Sequence, residues 1–157
     1  MAKQYMTPLG KKKLEVELKE LTATVRPQII RAIEEARSHG DLSENAEYHA
    51  AKERQSFAEG RIADINSKLA QAEVIDPAKV KSDKVTFGAI VTLEDQDTST
   101  TVTYQIVGTD EADIKERKIS YESPLAKTLI GKKKGEDFEY SSGKGQKTYS
   151  ILKIQYK

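Results

Sequence analysis

The stretch GDLSENAEYH, residues 40–49, separates two long runs of helical periodicity. In the first run, apolar residues recur at steps of three and four positions: Leu14, Leu18, Leu21, Val25, Ile29, Ile33 and Ala36. The second run has a similar helical pattern: Ala46, Ala50, Phe57, Ala58, Ile62, Ile65, Leu69 and Ala72. This spacing predicts two amphipathic helices. Two such helices joined by a short polar segment predict an antiparallel hairpin with its tip near residues 41–44.

Facing residues of an antiparallel hairpin have a nearly constant index sum. A sum of 83 produces these apolar pairs: Leu14 with Leu69, Leu18 with Ile65, Leu21 with Ile62, Val25 with Ala58, and Ile33 with Ala50. The same sum places the apex between Asp41 and Leu42. Ile29 and Ala36 fit badly, because this pairing sets each of them opposite a charged residue.

Local signals predict where the first helix begins and where it is disturbed. Thr7 is suited to the N-cap and Pro8 to the first helical position, where its missing N–H is not needed. Pro27 lies inside the apolar stripe and cannot donate the backbone hydrogen bond of a helix interior. The sequence therefore predicts a kink or break near Pro27.

The second half of the chain changes from helical to strand-like periodicity. Runs rich in β-branched residues predict strands at residues 85–93, 100–107, 138–141 and 148–155. Ser123, Pro124 and Gly131 supply the cap, start and stop of one short helix. The prediction is an α+β chain with a helical hairpin in residues 1–76. Residues 77–157 are predicted to form a small antiparallel β domain with one short helix.

Composition excludes several classes of function. The chain has 157 residues, 26 basic and 25 acidic, with a net charge of +1, so nucleic-acid binding needs a local basic patch. It has no cysteine, which excludes disulfides, zinc–thiolate sites and thiol catalysis. No apolar signal core or membrane-length apolar run is present, and we expect a soluble, cytoplasmic protein without a membrane partner.

Two acidic residues at the predicted tip allow two interpretations. Asp41 and Glu44 carry hard carboxylate oxygens, which are suited to Mg²⁺ when other ligands complete the site. The spacing Asp41-x-x-Glu44 is also that of a capping box at the start of the second helix. The motif by itself favours the capping box, and the two roles are compatible.

Basic residues surround this tip. Arg37 and Lys52, with Arg31 and Arg54 nearby, can contact phosphates of a nucleic acid or form salt bridges on solvated helix faces.

Segments spread over nearly the whole chain resemble the GreA/GreB family of bacterial transcript-cleavage factors, and most closely its GreA branch. The matching segments are residues 27–30, 37–52, 59–62, 87–89, 106–108, 111–113 and 123–132. The resemblance implies an N-terminal coiled-coil hairpin followed by an FKBP-like globular domain. It also implies a factor that is not itself an enzyme but binds RNA polymerase through its secondary channel. There it stimulates the polymerase's own cleavage of backtracked nascent RNA.

The resemblance also implies roles for individual residues. By this resemblance, Asp41 and Glu44 are expected to help hold a Mg²⁺ ion that is shared with the polymerase, while the free protein is expected to bind no cofactor and to be a monomer. Arg37 and Lys52 are expected to contact the 3′ region of the nascent RNA. Docking to the polymerase is expected to involve the segment that contains Ser120, Ser123 and Pro124.

Two alternatives remain at this point. An inhibitory relative would occupy the channel without promoting cleavage, although the intact Asp41 and Glu44 pair argues against it. An FKBP-like domain also suggests a peptidyl-prolyl isomerase or chaperone, but the sequence shows no clear proline pocket and fold alone does not establish an activity.

Overall fold

The structure is a computed structural model that describes residues 3–42 and 44–157. It contains a helical N-terminal part and a C-terminal part built on a curled mixed sheet. Two compact units are present: a helical unit of residues 11–72, and a globular unit of Lys3–Gly10 and Glu73–Lys157. The predicted division at residue 76 left Lys3–Gly10 with the hairpin. The structure groups this segment with the globular unit.

The N-terminal helices are α1 (Pro8–Glu20), α2 (Arg26–Arg37) and α3 (Ala46–Ala70). A π-helical turn at Leu21–Val25 joins α1 to α2. The predicted Thr7 cap is confirmed, because its Oγ1 accepts a hydrogen bond from the Gly10 N–H at 3.1 Å. The predicted disturbance near Pro27 is also confirmed, and its form is the π-helical turn. Pro27 offers no N–H to the carbonyl four residues before it, so the α-helical hydrogen-bond pattern is already interrupted next to the wide turn.

The seam between the helices differs from the predicted pairing in its distal part. The buried seam residues are Leu14, Ile29, Ala36, Ala51, Ala58, Ile62 and Ile65. Ala50 and Phe57 were predicted in the seam but are exposed, Phe57 to 73%. The π-helical turn takes up one extra residue, so the index sum expected beyond it is 84, which matches Ile33 to the buried Ala51 in place of the exposed Ala50. The same arithmetic moves Ile29 from opposite Arg54 to opposite Gln55, in agreement with its exposure of only 2%.

Two bidentate ion pairs join the helices across the edges of this seam. Arg26 donates from Nε and Nη2 to the Glu59 carboxylate at 2.9 and 2.8 Å. Arg61 donates in the same way to Glu17 at 2.6 and 2.8 Å. These hydrogen bonds lower the pKa of Glu59 and of Glu17, because each stabilises the charged carboxylate.

This geometry predicts acid sensitivity of the helical unit. A carboxyl group whose pKa is lowered by folding stabilises the folded state above its ordinary pKa, and that stabilisation is lost as the pH falls through the lowered value. We expect the thermal stability of the helical unit to be nearly constant between neutral pH and about pH 5, and to fall below about pH 4. Circular dichroism melting across this range tests the expectation. Glu59→Gln should flatten part of the fall, whereas Glu53→Gln, at an exposed acid of the same helix, should leave the profile unchanged.

The globular unit contains the elements β3 (Ile90–Asp95), β4 (Thr101–Val107), β5 (Lys118–Ser120), α4 (Pro124–Leu129), β6 (Asp137–Ser142) and β7 (Gly145–Gln155). Its strands form a five-stranded sheet of order β5-β4-β3-β7-β6. The core lies between the sheet and α4 and includes Val91, Ile106, Leu129 and Ile151. The predicted Ser123 cap is confirmed, since its Oγ accepts from the Ala126 N–H at 3.3 Å.

Three details of the predicted strands and helices are wrong. The sheet is mixed, because β5 pairs parallel to β4 after two short 3₁₀ turns reverse the chain. The run predicted to start at residue 85 becomes strand only at Ile90, because Gly88 adopts φ +90 and lies against Pro77. The last residue of the predicted helical stripe, Ala72, instead belongs to β2 (Ala72–Val74), which pairs with β1 (Gln4–Met6).

A carboxylate ties the N-terminal segment into the globular unit. Glu111 accepts hydrogen bonds from the Thr7 N–H and the Gly108 N–H, both at 3.1 Å, and from the Thr7 hydroxyl. A Cβ at Gly10 would overlap the Glu111 side chain, so glycine is needed there for this contact. These bonds give a physical reason why Lys3–Gly10 belongs to the globular unit.

The candidate functional site at the hairpin loop

The candidate site is the tip loop, residues 38–45, which connects α2 to α3 and whose Ser43 lies outside the described residues. Backbone hydrogen bonds continue past Arg37, since Ser38 donates to Glu34 and Glu35 and the Gly40 N–H donates to Arg37 at 3.3 Å. Gly40 then turns the chain with φ +105, a conformation that costs residues with a Cβ far more than glycine.

Asn45 holds the tip loop between the two helices. Its Oδ1 accepts from the Tyr48 N–H at 3.0 Å, which makes it the N-cap of α3. Its Nδ2 donates to the Ala36 carbonyl of α2 at 2.6 Å. One amide therefore satisfies an unpaired donor at the start of α3 and bonds an acceptor near the end of α2.

The capping-box interpretation of Asp41-x-x-Glu44 is therefore wrong. The helix begins at Ala46, so Asp41 is not its N-cap and Glu44 is not its third residue. Asn45 is the cap instead, because its side-chain amide can accept a hydrogen bond from α3 and donate one to α2 at the same time. An ionised carboxylate can only accept hydrogen bonds. An asparagine just before a helical stripe is a strong N-cap signal, and reading that signal would have found Asn45.

Asp41 and Glu44 lie in the tip loop with their side chains exposed. Their carboxylates are hard oxygen donors, which fit Mg²⁺ in chemical type. In residues 3–42 and 44–157, no group of three or more acidic, histidine or cysteine residues is placed to hold a metal ion. The described loop can therefore supply part of a magnesium site, with the remaining ligands coming from elsewhere.

The two predicted basic residues flank the tip loop on separate helices. Arg37 is the last residue of α2 and is exposed. Lys52 is exposed on α3, where its Nζ donates to the Gln55 side chain at 3.0 Å. Neither side chain is buried, so both can reach an anionic partner beside the loop.

The predicted docking residues lie in a different unit, in a tight turn between β5 and α4. The Ser120 carbonyl accepts from the Ser123 N–H and hydroxyl at 2.9 and 2.7 Å, and the Ser120 hydroxyl accepts from the Glu122 N–H at 3.1 Å. Pro124 is exposed at the start of α4. This network gives the turn a defined shape on the surface of the globular unit.

An aromatic cluster packs around Tyr121, which lies within this turn. Tyr121 packs edge-on against Tyr5 and Phe87, with ring centroids 5.4 and 5.6 Å apart. Burial raises the pKa of the Tyr121 hydroxyl. The N-terminal strand and the turn thus share one packed cluster, a role for Tyr5 and Phe87 that the sequence did not indicate.

Family models match both halves of the chain. The model described as "Transcription elongation factor, N-terminal" matches residues 4–74, and "Transcription elongation factor, GreA/GreB, C-term" matches residues 80–156. The chain belongs to the GreA/GreB transcription elongation factor family. Among the described residues, none of the helices has both the length and the apolar character of a membrane span.

Individual relatives within the family are close in sequence. The chain is 56% identical over 152 residues to transcription elongation factor GreA of Hyphomonas neptunium, with 97% of each chain covered. It is 54% identical over 157 residues to GreA of Halorhodospira halophila, with 99% of each covered. Among solved structures, Gfh1 of Thermus aquaticus is 24% identical with a TM-score of 0.45, and 99% of each chain is covered.

The Asn45 geometry predicts that this amide stabilises the loop more than the neighbouring Glu44 carboxylate does. Asn45→Ala should lower the free energy of unfolding by about 1–2 kcal/mol, because it removes the α3 cap and the bond to Ala36. Asn45→Asp should recover part of this loss, since aspartate keeps the capping acceptor. Glu44→Ala should change stability by less than about 0.5 kcal/mol. Urea unfolding measures all three, and an equal loss for Glu44→Ala would contradict the assignment of the cap.

Proposed function

We propose that this chain binds RNA polymerase through the secondary channel and stimulates the polymerase's own hydrolysis of backtracked nascent RNA. The observation that carries the proposal is that this GreA/GreB family member folds its tip loop with Asn45 and leaves Asp41 and Glu44 exposed. Both acidic residues lie at the surface of the loop, and the N-cap of α3 is Asn45.

In this proposal Asp41 and Glu44 are ligands to a Mg²⁺ ion whose other ligands belong to the polymerase. Such an ion, when bound, activates a water molecule or stabilises the leaving oxygen in phosphodiester hydrolysis. The chain itself supplies two carboxylates on a loop whose ends are fixed by Asn45. Two carboxylates alone hold Mg²⁺ weakly, which is why the proposal assigns no resident cofactor to the free protein.

Further contacts follow from charge and placement. Arg37 and Lys52 are proposed to contact phosphates of the extruded RNA, because both are exposed cations beside the tip loop. The turn with Ser120, Ser123 and Pro124 is proposed to dock on the polymerase. We further propose that the hairpin is a coiled coil, that the globular unit is FKBP-like and that the factor acts as a monomer.

The metal role predicts a separation of cleavage from binding. In a backtracked polymerase complex, Asp41→Asn combined with Glu44→Gln should reduce stimulated cleavage by about 10- to 100-fold, as loss of metal-site groups commonly does. The concentration needed for half-maximal binding should stay unchanged. Glu47→Gln, at an exposed acid in the first turn of α3, is the matched control and should keep full activity.

Two outcomes would contradict the proposal. Normal cleavage with the double variant would remove the metal role. Suppressed cleavage with the unaltered chain would instead favour the inhibitory alternative.

A second candidate function has one supporting observation in the globular unit. Three tyrosines, Tyr104, Tyr140 and Tyr149, line a cavity of about 170 Å³ together with Leu93 and Leu125. The sequence showed no clear proline pocket, yet the fold brings these aromatic rings together. Aromatic walls of this kind can take an apolar side chain such as proline.

We expect the isomerase test to be negative. Twisting an Xaa-Pro bond disrupts its amide resonance and is easier in apolar surroundings, whereas Lys144 and Lys147 also line this cavity. The unaltered chain should therefore leave the cis–trans exchange of a proline-containing tetrapeptide at its uncatalysed rate. Acceleration that Tyr140→Ala abolishes would establish the isomerase function.

A further inference from the structure

The apolar stripe of α1 and α2 contains more residues than its turns need. From Leu21 to Ile33 the stripe advances in three steps of four, through Val25 and Ile29. Three turns of α-helix need about 10.8 residues, so twelve positions are about one too many. A continuous α-helix would turn Ile33 away from the face that carries Leu21.

The opposite helix has no such excess. From Ala51 to Ile65 the buried face of α3 advances by fourteen positions in about four turns, or about 3.5 residues per turn. This is the period of a coiled-coil seam. From Leu14 to Ala36 the other side advances by 22 positions in about six turns, or about 3.67 per turn. If one of these 22 positions is not counted, the buried face of α1 and α2 advances by about 3.5 residues per turn, the same period as that of α3.

The extra residue is located at Leu21–Val25. The Arg26 N–H donates to the Leu21 carbonyl, five residues back, which is the wide π-helical pattern. Thr22 donates from its hydroxyl to the Leu18 carbonyl at 2.9 Å, which supports the helix just before the wide turn. Ala23 and Thr24 are exposed, whereas Leu21 and Val25 are half-buried, so the extra residue lies on the solvent side of the helix.

We infer that Leu21–Val25 is a positioning segment. Its π-helical turn accommodates one extra residue (the stored residue), so that the apolar face of α2 is still turned toward α3 where the helix reaches the tip loop. With this face turned toward α3, Ile29 and Ala36 are each 2% exposed, and the Ala36 carbonyl accepts a hydrogen bond from Asn45 Nδ2. The placement of Asp41 and Glu44 depends on this phase, because Asn45 fixes the end of their loop. The register itself stands on these contacts alone, while its effect on cleavage rests on the proposed function.

Two single-residue deletions, both of exposed residues, test the inference. Deleting Thr24 removes the stored residue, so the π-helical turn becomes α-helix and the distal seam keeps its phase. We expect a melting temperature within about 4 °C of the unaltered chain or above it, and unchanged amide-exchange protection of the Tyr48 N–H, which reports the Asn45 cap. Deleting Glu34, which lies beyond the bulge, shifts Ala36 by one position. It should lower the melting temperature by more than about 8 °C and remove the Tyr48 protection.

Cleavage assays add a second measurement, the plateau of stimulated cleavage, which a loss of stability alone does not change while the protein is still folded. Without Thr24 the plateau of stimulated cleavage should stay within about twofold. Without Glu34 the plateau should fall by at least about tenfold at a temperature where the protein is still folded. Its half-maximal concentration should change little, because the proposed docking residues belong to the other unit.

The outcomes separate the two proposals. Equal damage from both deletions, or loss of Tyr48 protection without Thr24, overturns the stored-residue inference. If the two deletions differ in stability and protection as expected while even the unaltered chain fails to stimulate cleavage, the register inference holds and the proposed function is wrong.

Discussion

Two helical segments with different residue counts lie side by side in the helical unit, and their buried faces have to match from one end to the other. Burying Ile29, Ala36, Ile62 and Ile65 removes apolar surface from water only if each face stays turned toward its partner. The wide turn before Pro27 makes this match possible, because it takes up one extra residue on the solvent side of the helix. The packing of the distal seam, and therefore the position of the end of α2 at the tip loop, depends on this turn.

At the tip loop, the groups that hold the backbone differ from those proposed to act on a partner. Asn45 caps α3 and bonds α2, and Gly40 supplies the left-handed turn. The N-cap of α3 is therefore Asn45, and the exposed Asp41 and Glu44 are the residues proposed to meet a partner. A loop that needed its acidic residues as caps would lose stability whenever those carboxylates changed partner.

Much of the local structure was predictable because its signals act over a few residues. The two long helices, the caps at Thr7 and Ser123 and the disturbance at Pro27 follow from hydrogen bonds and sterics within one or two turns. Ala50 was assigned to the wrong face because a constant index sum assumes a uniform helix. Phe57 was placed in the stripe by its apolar character, although its neighbour Ala58 is the buried residue. The cap was predicted at Asp41, and Asn45 was missed, because both residue types cap well and the bond from Asn45 to the Ala36 carbonyl is a contact between two helices.

The sequence by itself determined the order of the long helices and of strands β3, β4, β6 and β7, and the residue types available at the tip loop. These depend on periodicity and composition, which are properties of the chain alone, whereas the family followed from the resemblance of whole segments to known relatives. The tertiary structure decided which residues meet across distance: the Glu111 carboxylate with Thr7, β5 parallel to β4, and three tyrosines around one cavity. Such contacts are set by how whole elements pack, and neither the spacing nor the chemistry of neighbouring residues contains that information.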